Sequence, residues 1–377
     1  MTEQNQFNVA IDGRNLMHSP GGSATYLICA LNELSARQPG WTFHLLTNRP
    51  LHPECERLIV KRSNVHFSCR SFTKIGLVWY CTQLYFILKE LKPDFFWAPA
   101  TLLPPVLPVG IKTVVTVNDM VPKDFPETMS RLNRWYSLLF FDRSIQTADV
   151  LLAISDYTAS EVKRRYPGRR AQQVAVGCGV DRSRFRPTEL SGEQRSELCG
   201  KYGIAEPYIL FVGTLEPRKN LEFLLKLAPR LAESGLSILI VGACGWGRTS
   251  LAAQVNQSGF PVDKVVFAGY VPTDDLVMLY NCAALYVSTS LNEGFGLPQL
   301  EAMNCGCPVV SPHNSAMIEV VEGAGETVPG WEQDQWCRTI LGVIHDRERY
   351  RQLGFGRADR YDWSHVAATI EAALVAA

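Results

Sequence analysis

The sequence predicts an α/β protein made of two domains, each with a parallel β-sheet covered by helices and a cleft between the two. The chain has 377 residues, which exceeds the roughly 150 residues of one average domain. Short apolar runs alternate with helix-length amphipathic segments, which is typical of βαβ units and a parallel sheet. The same alternation starts again after Pro187.

The first domain is predicted to span residues 1–187. Residues 7–11 form an apolar run that ends in Asp12-Gly13, as expected of a first buried strand. A Gly-Gly loop at Gly21 and Gly22 precedes apolar residues at helical spacing, and a second helix is predicted over 77–91. The remaining strands of this domain are predicted at 41–46, 65–68, 95–98, 113–117 and 150–154.

The second domain is predicted to span residues 188–359. A polar segment, 181–206, is the expected linker, and a helix is expected to start at Leu221. A break is predicted near Gly354-Phe355-Gly356, before an Ala-rich final helix at about 360–377. The predicted strands of this domain are 208–212, 237–241, 265–268, 284–287 and 309–311.

Composition excludes several classes of protein. Lys+Arg and Asp+Glu both number 37, so the net charge is zero and a strongly basic nucleic-acid-binding protein is not expected. The apolar content of 46% argues against disorder. The longest apolar stretch, 75–88, is shorter than a membrane span, and the N-terminus does not resemble a secretory signal. The eleven scattered cysteines are expected to be reduced, so we expect a cytoplasmic protein.

Charge is unevenly distributed along the chain. Residues 1–187 contain 23 basic and 15 acidic side chains, a balance of +8, and the remainder therefore carries −8. Contact with an anionic surface or acceptor is one interpretation, and chance together with solvated faces is the other. Segment 131–141 combines basic and aromatic residues, as expected of a helix that faces either a membrane interface or the core. The densest basic cluster is Lys163, Arg164, Arg165, Arg169 and Arg170.

Polar and glycine-rich segments follow several predicted strands, where ligands bind in open parallel sheets. Gly21-Gly22 can bring backbone N–H groups close to an anion, although a tight turn explains it equally. The loop 213–220 carries Arg218 and Lys219, a pair suited to a diphosphate unless it is a solvated charge pair. Neither a Gly-x-Gly-x-x-Gly fingerprint nor a P-loop is present, which argues against dinucleotide oxidoreductases and P-loop kinases.

Two carboxylates flank a third glycine-rich loop. Glu293 precedes Gly294-Phe295-Gly296, and Glu301 follows on the predicted helix, with seven residues between the two carboxylates. Carboxylates accept hydrogen bonds from vicinal hydroxyls, so sugar or ribose recognition is a natural use; helix capping by Glu293 is the alternative. Asp119, after Asn118, either faces the cleft or caps a loop. The chain contains no Asp-x-Asp, so the cations would have to neutralise a diphosphate without a metal.

These segments together resemble a known family. Glu293 and Glu301, within Glu-Gly-Phe-Gly-Leu-Pro, resemble the Glu-x7-Glu motif of retaining GT-B glycosyltransferases, more narrowly of glycosyltransferase family 4. Segment 212–220 resembles the diphosphate loop of the family, and Gly269-Tyr270-Val271-Pro272 resembles its base-contacting segment. Segments 179–187 and 307–310 also match, and the resemblance covers about residues 7–370.

The resemblance implies two Rossmann-like domains and specific roles. Arg218 and Lys219 would stabilise the donor diphosphate, Glu301 would bind the ribose and Glu293 the donor sugar, and Asp119 would be catalytic or, with Asn118, on the acceptor side. The last helix would return to the first domain. No metal or other cofactor is expected. The implied donor-binding residues are Gly22, Gly213, Thr214, Tyr270, Val271, Gly294, Phe295, Gly296, Leu297 and Glu301.

Two residues depart from the family pattern. Asn118 stands where many members have His, and Asn cannot shuttle a proton near pH 7. Thr25 replaces a basic residue of the mannosyl-type loop, which removes one phosphate contact.

The resemblance implies front-face transfer of mannose or a 6-deoxyhexose such as rhamnose from a GDP-sugar. The acceptor would be a lipid-pyrophosphate-linked, O-antigen-like glycan on the inner face of the cytoplasmic membrane. The alternatives are a UDP-hexose or UDP-N-acetylhexosamine donor, another GT-B activity, and a non-catalytic nucleotide-sugar-binding protein.

Overall fold

A computed structural model describes residues 6–73, 75–129, 131–243 and 264–377. The chain divides into two compact units. The first contains the chain up to Asp124, Arg131–Gly179 and Asp362–Ala377; the second contains Val180–Tyr361 and a short segment after Asp124. Residues 180–187, which the sequence places with the first domain, are therefore grouped with the second unit.

The first unit contains a seven-stranded parallel sheet. Its strands, in the order β3-β2-β1-β4-β5-β6-β7, are all parallel to their neighbours. Because β2 and β3 lie on one side of β1 and β4 to β7 on the other, the strand order reverses between β1 and β4. The strands are β1 (Asn8–Asp12), β2 (Thr42–Thr47), β3 (Val65–Cys69), β4 (Phe95–Ala98), β5 (Lys112–Val117), β6 (Val150–Ala153) and β7 (Gln172–Ala175).

Helices cover this sheet, and the last helix of the chain is one of them. Trp363 lies edge-on to Tyr26 with ring centroids 5.8 Å apart, and Arg37 pairs with Glu371 at 3.0 Å. Gly179 has no room for a side chain, since a Cβ there would lie 2.5 Å from the backbone nitrogen of Trp363. The helices are α1 (Gly22–Arg37), α2 (Pro53–Leu58), α3 (Gly76–Cys81), α4 (Gln83–Leu91), α5 (Val121–Asp124), α6 (Arg131–Thr147), α7 (Asp156–Arg165) and, at the C-terminus, α15 (Trp363–Ala376).

The second unit contains a six-stranded parallel sheet in the order β10-β9-β8-β11-β12-β13. Apolar strands and the helix over Leu221–Glu233 form its core, in which Phe223 packs edge-on to the buried Trp336, with ring centroids 5.4 Å apart. The strands are β8 (Tyr208–Val212), β9 (Ser237–Val241), β10 (Val265–Gly269), β11 (Leu285–Val287), β12 (Val309–Pro312) and β13 (Glu326–Val328). The helices are α8 (Gly192–Tyr202), α9 (Leu221–Glu233), α10 (Thr273–Cys282), α11 (Leu297–Asn304), α12 (Ser315–Val321), α13 (Gln333–His345) and α14 (Arg347–Ala358).

The predicted fold class, α/β with two parallel sheets, is confirmed, but three local predictions are wrong. The helix over 77–91 is interrupted at Thr82, whose hydroxyl donates to the carbonyl of Val78 at 2.6 Å. The segment 181–206 contains α8, which begins with a capping box at Ser191. The break near residue 354 is absent, because Gly354 lies inside α14, where a Cβ would be 3.3 Å from Met303.

The helix α6 presents two different faces. Its buried side includes Ser137, Phe141 and Ile145. Trp135 and Leu139, by contrast, are each about two-thirds exposed, at 68% and 65%. The core-facing interpretation of segment 131–141 therefore describes one face of the helix only, and the other is an exposed apolar surface.

The basic cluster at the C-terminal end of α7 is largely engaged in the fold. Arg164 and Arg165 both pair with Glu161, and Arg165 also reaches Asp124 at 2.6 Å. Arg169 donates to main-chain carbonyls, including that of Ala148 at 2.7 Å. These three arginines bind neighbouring parts of the first unit, so the cluster does not offer five unengaged cations to an anionic partner.

Candidate functional site

The strand order of the second sheet defines where a ligand would bind. The chain goes from β8 outward to β9 and β10 on one side, and β11, β12 and β13 lie on the other. The order therefore reverses between β8 and β11. Because these two strands are parallel neighbours, the loops that follow them start side by side at the carboxyl edge of the sheet. Open α/β sheets bind ligands at such a switch point. These loops are 213–220 and 288–296, the two that carry Lys219 and Glu293.

Two hydrogen bonds to main-chain carbonyls hold the two loops together. The amide of Leu291 donates to the carbonyl of Arg218 at 2.8 Å, and the hydroxyl of Thr289 donates to the carbonyl of Lys219 at 2.9 Å. Behind the first loop, only glycine fits at position 242, because a Cβ there would overlap the carbonyl oxygen of Gly213. The loops therefore present their side chains at a fixed separation.

Four charged side chains meet where the loops join. Lys219 Nζ pairs with Glu293 Oε1, and Arg218 Nη1 lies 2.9 Å from Glu293 Oε2. Arg218 Nη2 lies 2.6 Å from Glu216 Oε1. All four side chains are largely buried, with exposed fractions of 10–15%. We call Glu216, Arg218, Lys219 and Glu293 the charge cluster; it contains two cations and two carboxylates.

The carboxylate of Glu293 is strongly held in its ionised form. Burial alone would raise its pKa, but Arg218 and Lys219 outweigh burial and lower the pKa to about 2. Ser290 adds a hydrogen bond to Oε1 at 2.7 Å, and the hydroxyl of Ser315 accepts from the backbone amide of Glu293 at 3.0 Å. The side chain of Glu293 therefore does not cap the helix, because its carboxylate binds the two cations and Ser290.

Glu301 lies in a different environment from Glu293. Burial raises the pKa of Glu301 to about 7, although a hydrogen bond from Tyr280 and the charge of Arg184 oppose the shift. The Tyr280 hydroxyl donates to Oε2 at 3.2 Å. A buried carboxyl with a pKa near neutrality can accept hydrogen bonds at full strength only above that pH.

The segment between the two carboxylates leads into the N-terminus of α11. Gly296 caps α11 with φ 127°, a conformation that favours glycine. The Phe295 ring is buried and packs edge-on against Tyr361 with centroids 5.5 Å apart. Around Gly294, Phe295 and Leu297, a ligand would therefore meet main-chain groups at a helix N-terminus, which favours anions.

Other predicted donor-binding residues differ in accessibility. Tyr270 is 47% exposed, whereas Val271 is buried at 5%. Of the predicted pair, the Tyr270 side chain is thus the accessible one. Thr214 is exposed, next to Gly213. The roles of these residues stay predictions.

The first unit holds the predicted acceptor-side residues in structural hydrogen bonds. Asn118 Nδ2 donates to the carbonyl of Pro99 at 2.9 Å. Asp119 Oδ1 accepts from the backbone amide of Val121, the first residue of α5, at 3.0 Å. Gly22 begins α1, and a Cβ added to it would have no neighbouring atom within 4 Å. Their roles toward a ligand stay predictions.

Three residues of the site are not predicted from the sequence. Glu216 lies inside the diphosphate-loop motif, and its negative charge two residues before Arg218 could have identified it as a partner of that cation. Ser290 and Tyr280 contact Glu293 and Glu301 only through the tertiary fold, and no motif marks either of them.

The described part of the chain shows neither a metal cluster nor a membrane span. Within the described ranges, no group of three or more His, Cys, Asp or Glu side chains is arranged to hold a metal ion. Among the helices in those ranges, none combines the length and apolarity needed to cross a bilayer. The described cysteines carry free thiols.

Comparisons with known proteins identify the family. A model of "Glycosyltransferase Family 4" matches residues 20–184, and a model of "Glycosyl transferases group 1" matches residues 206–346. The O-antigen chain mannosyltransferase B of Escherichia coli is 31% identical over 287 residues, which cover 74% of this chain and 73% of that protein. The chain therefore belongs to glycosyltransferase family 4.

Solved structures show the same fold. Sucrose-phosphate synthase from Thermosynechococcus elongatus superposes with a TM-score of 0.76 at 18% identity, covering 97% of this chain and 98% of that one. HepE from Anabaena, solved in complex with UDP-glucose, superposes with a TM-score of 0.75 at 19% identity, covering 99% of this chain and all of that one. The GT-B fold predicted from the sequence is thereby confirmed. Membership of the family makes the protein a glycosyltransferase.

The raised pKa of Glu301 predicts a pH-dependent cost in stability. An unfolded Glu ionises near pH 4.3, whereas the folded one ionises near 7, so the unfolded chain loses its proton first. Stability contributed by this group is present below about pH 4 and is lost as pH rises to about 7. The melting temperature of Glu301→Gln minus that of the wild type should therefore be several degrees larger at pH 8 than at pH 5.

Thermal unfolding of both proteins at the two pH values measures this difference, in which other titrating groups cancel. Glu189→Gln, at an exposed position, is the matched control and should show a constant difference from the wild type. A constant difference for Glu301→Gln as well would contradict the raised pKa.

Proposed function

We propose that the protein transfers mannose from GDP-mannose, with retention of anomeric configuration, to a lipid-linked glycan. The observation that carries the proposal is the charge cluster at the switch point of the second sheet, with Glu301 on the helix that follows. Cations held at the carboxyl ends of strands suit a diphosphate, and carboxylates suit sugar hydroxyls.

The proposed donor contacts follow from the placement of each group. Arg218 and Lys219 bind the diphosphate at the carboxyl ends of the strands, near the helix N-terminus that Gly296 caps. Glu301, hydrogen-bonded by Tyr280, accepts from the ribose hydroxyls. Glu293 accepts from hydroxyls of the donor sugar, and the exposed Tyr270 lies against the base.

The proposed reaction proceeds on one face of the sugar. The bond from the anomeric carbon to the diphosphate oxygen breaks, and the acceptor oxygen bonds to the same face. The departing diphosphate takes the proton of the acceptor hydroxyl, so no protein base is needed and Asn118 does not impair the step. Arg218 and Lys219 stabilise the charge that develops on the diphosphate without a metal ion.

The donor sugar is proposed from the relatives. The O-antigen chain mannosyltransferase B of Escherichia coli supports mannose, and a GDP-linked 6-deoxyhexose such as rhamnose is the close alternative. A UDP-sugar is the second candidate donor, because the Anabaena protein with the same fold was solved with UDP-glucose.

The acceptor is proposed to be an O-antigen-like glycan on a pyrophosphate lipid, reached by peripheral contact with the inner face of the cytoplasmic membrane. The basic balance of residues 1–187 and the exposed apolar face of α6 support this contact. Exposed aromatic and aliphatic side chains beside basic ones are typical of helices that lie in a membrane interface.

Removing either partner of the central ion pair should strongly reduce turnover. Lys219→Ala removes a charge that stabilises the leaving diphosphate, and such losses commonly reduce kcat about 10²–10³-fold. Glu293→Ala should cause a comparable loss by removing the sugar contact. Release of GDP from GDP-mannose with a lipid-linked acceptor measures both.

The control is Lys226→Ala, on the exposed face of α9, which should keep wild-type kinetics. Circular dichroism checks that the variants stay folded. Normal turnover in Lys219→Ala and Glu293→Ala would reject the assigned site.

The exposed face of α6 should bind anionic membranes. Wild-type protein should sediment with phosphatidylglycerol-containing vesicles at low salt, and Trp135→Ser/Leu139→Ser should remain in the supernatant because it lacks the apolar contact. Val375→Ser, at an exposed site on α15, is the control and should sediment normally. Failure of the wild type to sediment would remove the basis for the membrane contact.

A further inference from the structure

The charge cluster is electrically balanced before any ligand is present. Its two cations, Arg218 and Lys219, are matched by the carboxylates of Glu216 and Glu293. A site built only to attract a diphosphate would carry excess positive charge, because attraction falls as local carboxylates cancel the cations. The balance therefore needs an explanation.

The carboxylate of Glu293 makes the contacts that a diphosphate would make. One oxygen pairs with Lys219, and the other lies 2.9 Å from Arg218 Nη1. Ser290 donates to the first oxygen at 2.7 Å. A single anionic group thus bridges the two cations, each through its own oxygen.

We propose that Glu293 is the resident anion of the diphosphate site and that the donor diphosphate displaces it from Arg218 and Lys219. The inference rests on the proposed function, in which these cations bind a diphosphate. A diphosphate that approached the cations with Glu293 still in place would meet a buried carboxylate of like charge. Binding is therefore an exchange of one anion for another.

The exchange links diphosphate binding to the presence of a sugar. Once displaced, the buried carboxylate of Glu293 needs new hydrogen-bond donors, since an unpaired buried charge is costly. The hydroxyls of the donor sugar supply them. A nucleoside diphosphate without a sugar displaces Glu293 and offers its carboxylate no new hydrogen-bond donors. It therefore binds less tightly than it would bind the same two cations if Glu293 did not have to be displaced.

The same exchange favours product release. After transfer, the sugar has left and Glu293 has lost its hydroxyl partners. Its return to Arg218 and Lys219 then competes with the remaining nucleoside diphosphate. Glu216 takes no part in the exchange, because it pairs with Arg218 Nη2, whereas Glu293 pairs with Nη1.

This role and a simple sugar-contact role predict different results for one variant. If Glu293 only contacted sugar, Glu293→Gln would leave the affinity for sugar-free diphosphates unchanged. If Glu293 is the resident anion, Glu293→Gln removes the competitor and leaves the cations in excess. Affinity for GDP, UDP or inorganic pyrophosphate should then rise about tenfold, which corresponds to about 1.4 kcal/mol.

Isothermal titration calorimetry at low salt and pH 7.5 measures these affinities for the wild type and three variants. Glu233→Gln, at an exposed position of α9, makes the same change in net charge and should match the wild type. Ser290→Ala keeps all four charges and removes one hydrogen bond that anchors Glu293, so diphosphate affinity should rise about threefold. This variant tests the proposal even if Glu293→Gln fails to fold.

The outcomes separate the two claims. Unchanged or weaker diphosphate binding in Glu293→Gln and Ser290→Ala, with normal wild-type binding, would overturn the resident-anion role alone. Absence of any GDP, UDP and pyrophosphate binding to the wild type and to both variants would overturn the proposed function together with this inference.

Discussion

The ion pair between Lys219 and Glu293 is the interaction on which the proposed site depends. It joins loops that follow different strands, and each partner lies in a largely buried position. Burying charges is costly unless they are paired and hydrogen-bonded, and removing one partner of a buried pair commonly costs about 3–5 kcal/mol. The pair therefore persists only because the sheet places the ends of β8 and β11 side by side and hydrogen bonds fix the loops between them.

The first unit also contains a parallel sheet with a switch point, and a different pair of charged side chains lies near it. Its strand order reverses between β1 and β4, and Asp12 ends β1. Arg14 donates to both oxygens of Asp12, and its guanidinium stacks on the ring of Tyr80 at 3.3 Å. Each sheet thus has a paired arginine and carboxylate near its switch point. In the second unit a lysine joins the pair, and the carboxylate of Glu293 spans both cations.

Most of the fold could be predicted from the sequence because buried parallel strands are continuous apolar runs. The strands at 208–212 and 237–241 are such runs, and their predicted bounds match β8 and β9. The two missed strands, β7 and β13, are short, polar and at sheet edges, so they lack that signal. Gly354 was misread because a glycine demanded by helix packing looks the same in sequence as one that ends a helix.

The site was predicted in part for a related reason. Glu293, Glu301, Arg218 and Lys219 belong to two contiguous motifs, so the motifs could identify them. Which carboxylate pairs with which cation depends on strand order, and the sequence alone does not give that order. The basic cluster at the C-terminal end of α7 shows the converse, because Arg165 and Arg169 look available in sequence and are engaged in the fold.

Thermal unfolding in the presence of GDP, UDP, ADP or dTDP, without metal and at high excess, tests most directly whether the charge cluster is a nucleoside-diphosphate site. A ligand at 100 times its dissociation constant adds about 2.7 kcal/mol to the stability of the state that binds it. We expect a clear rise in melting temperature with GDP, and loss of that rise in Lys219→Ala. No rise with any of the four nucleotides would contradict it.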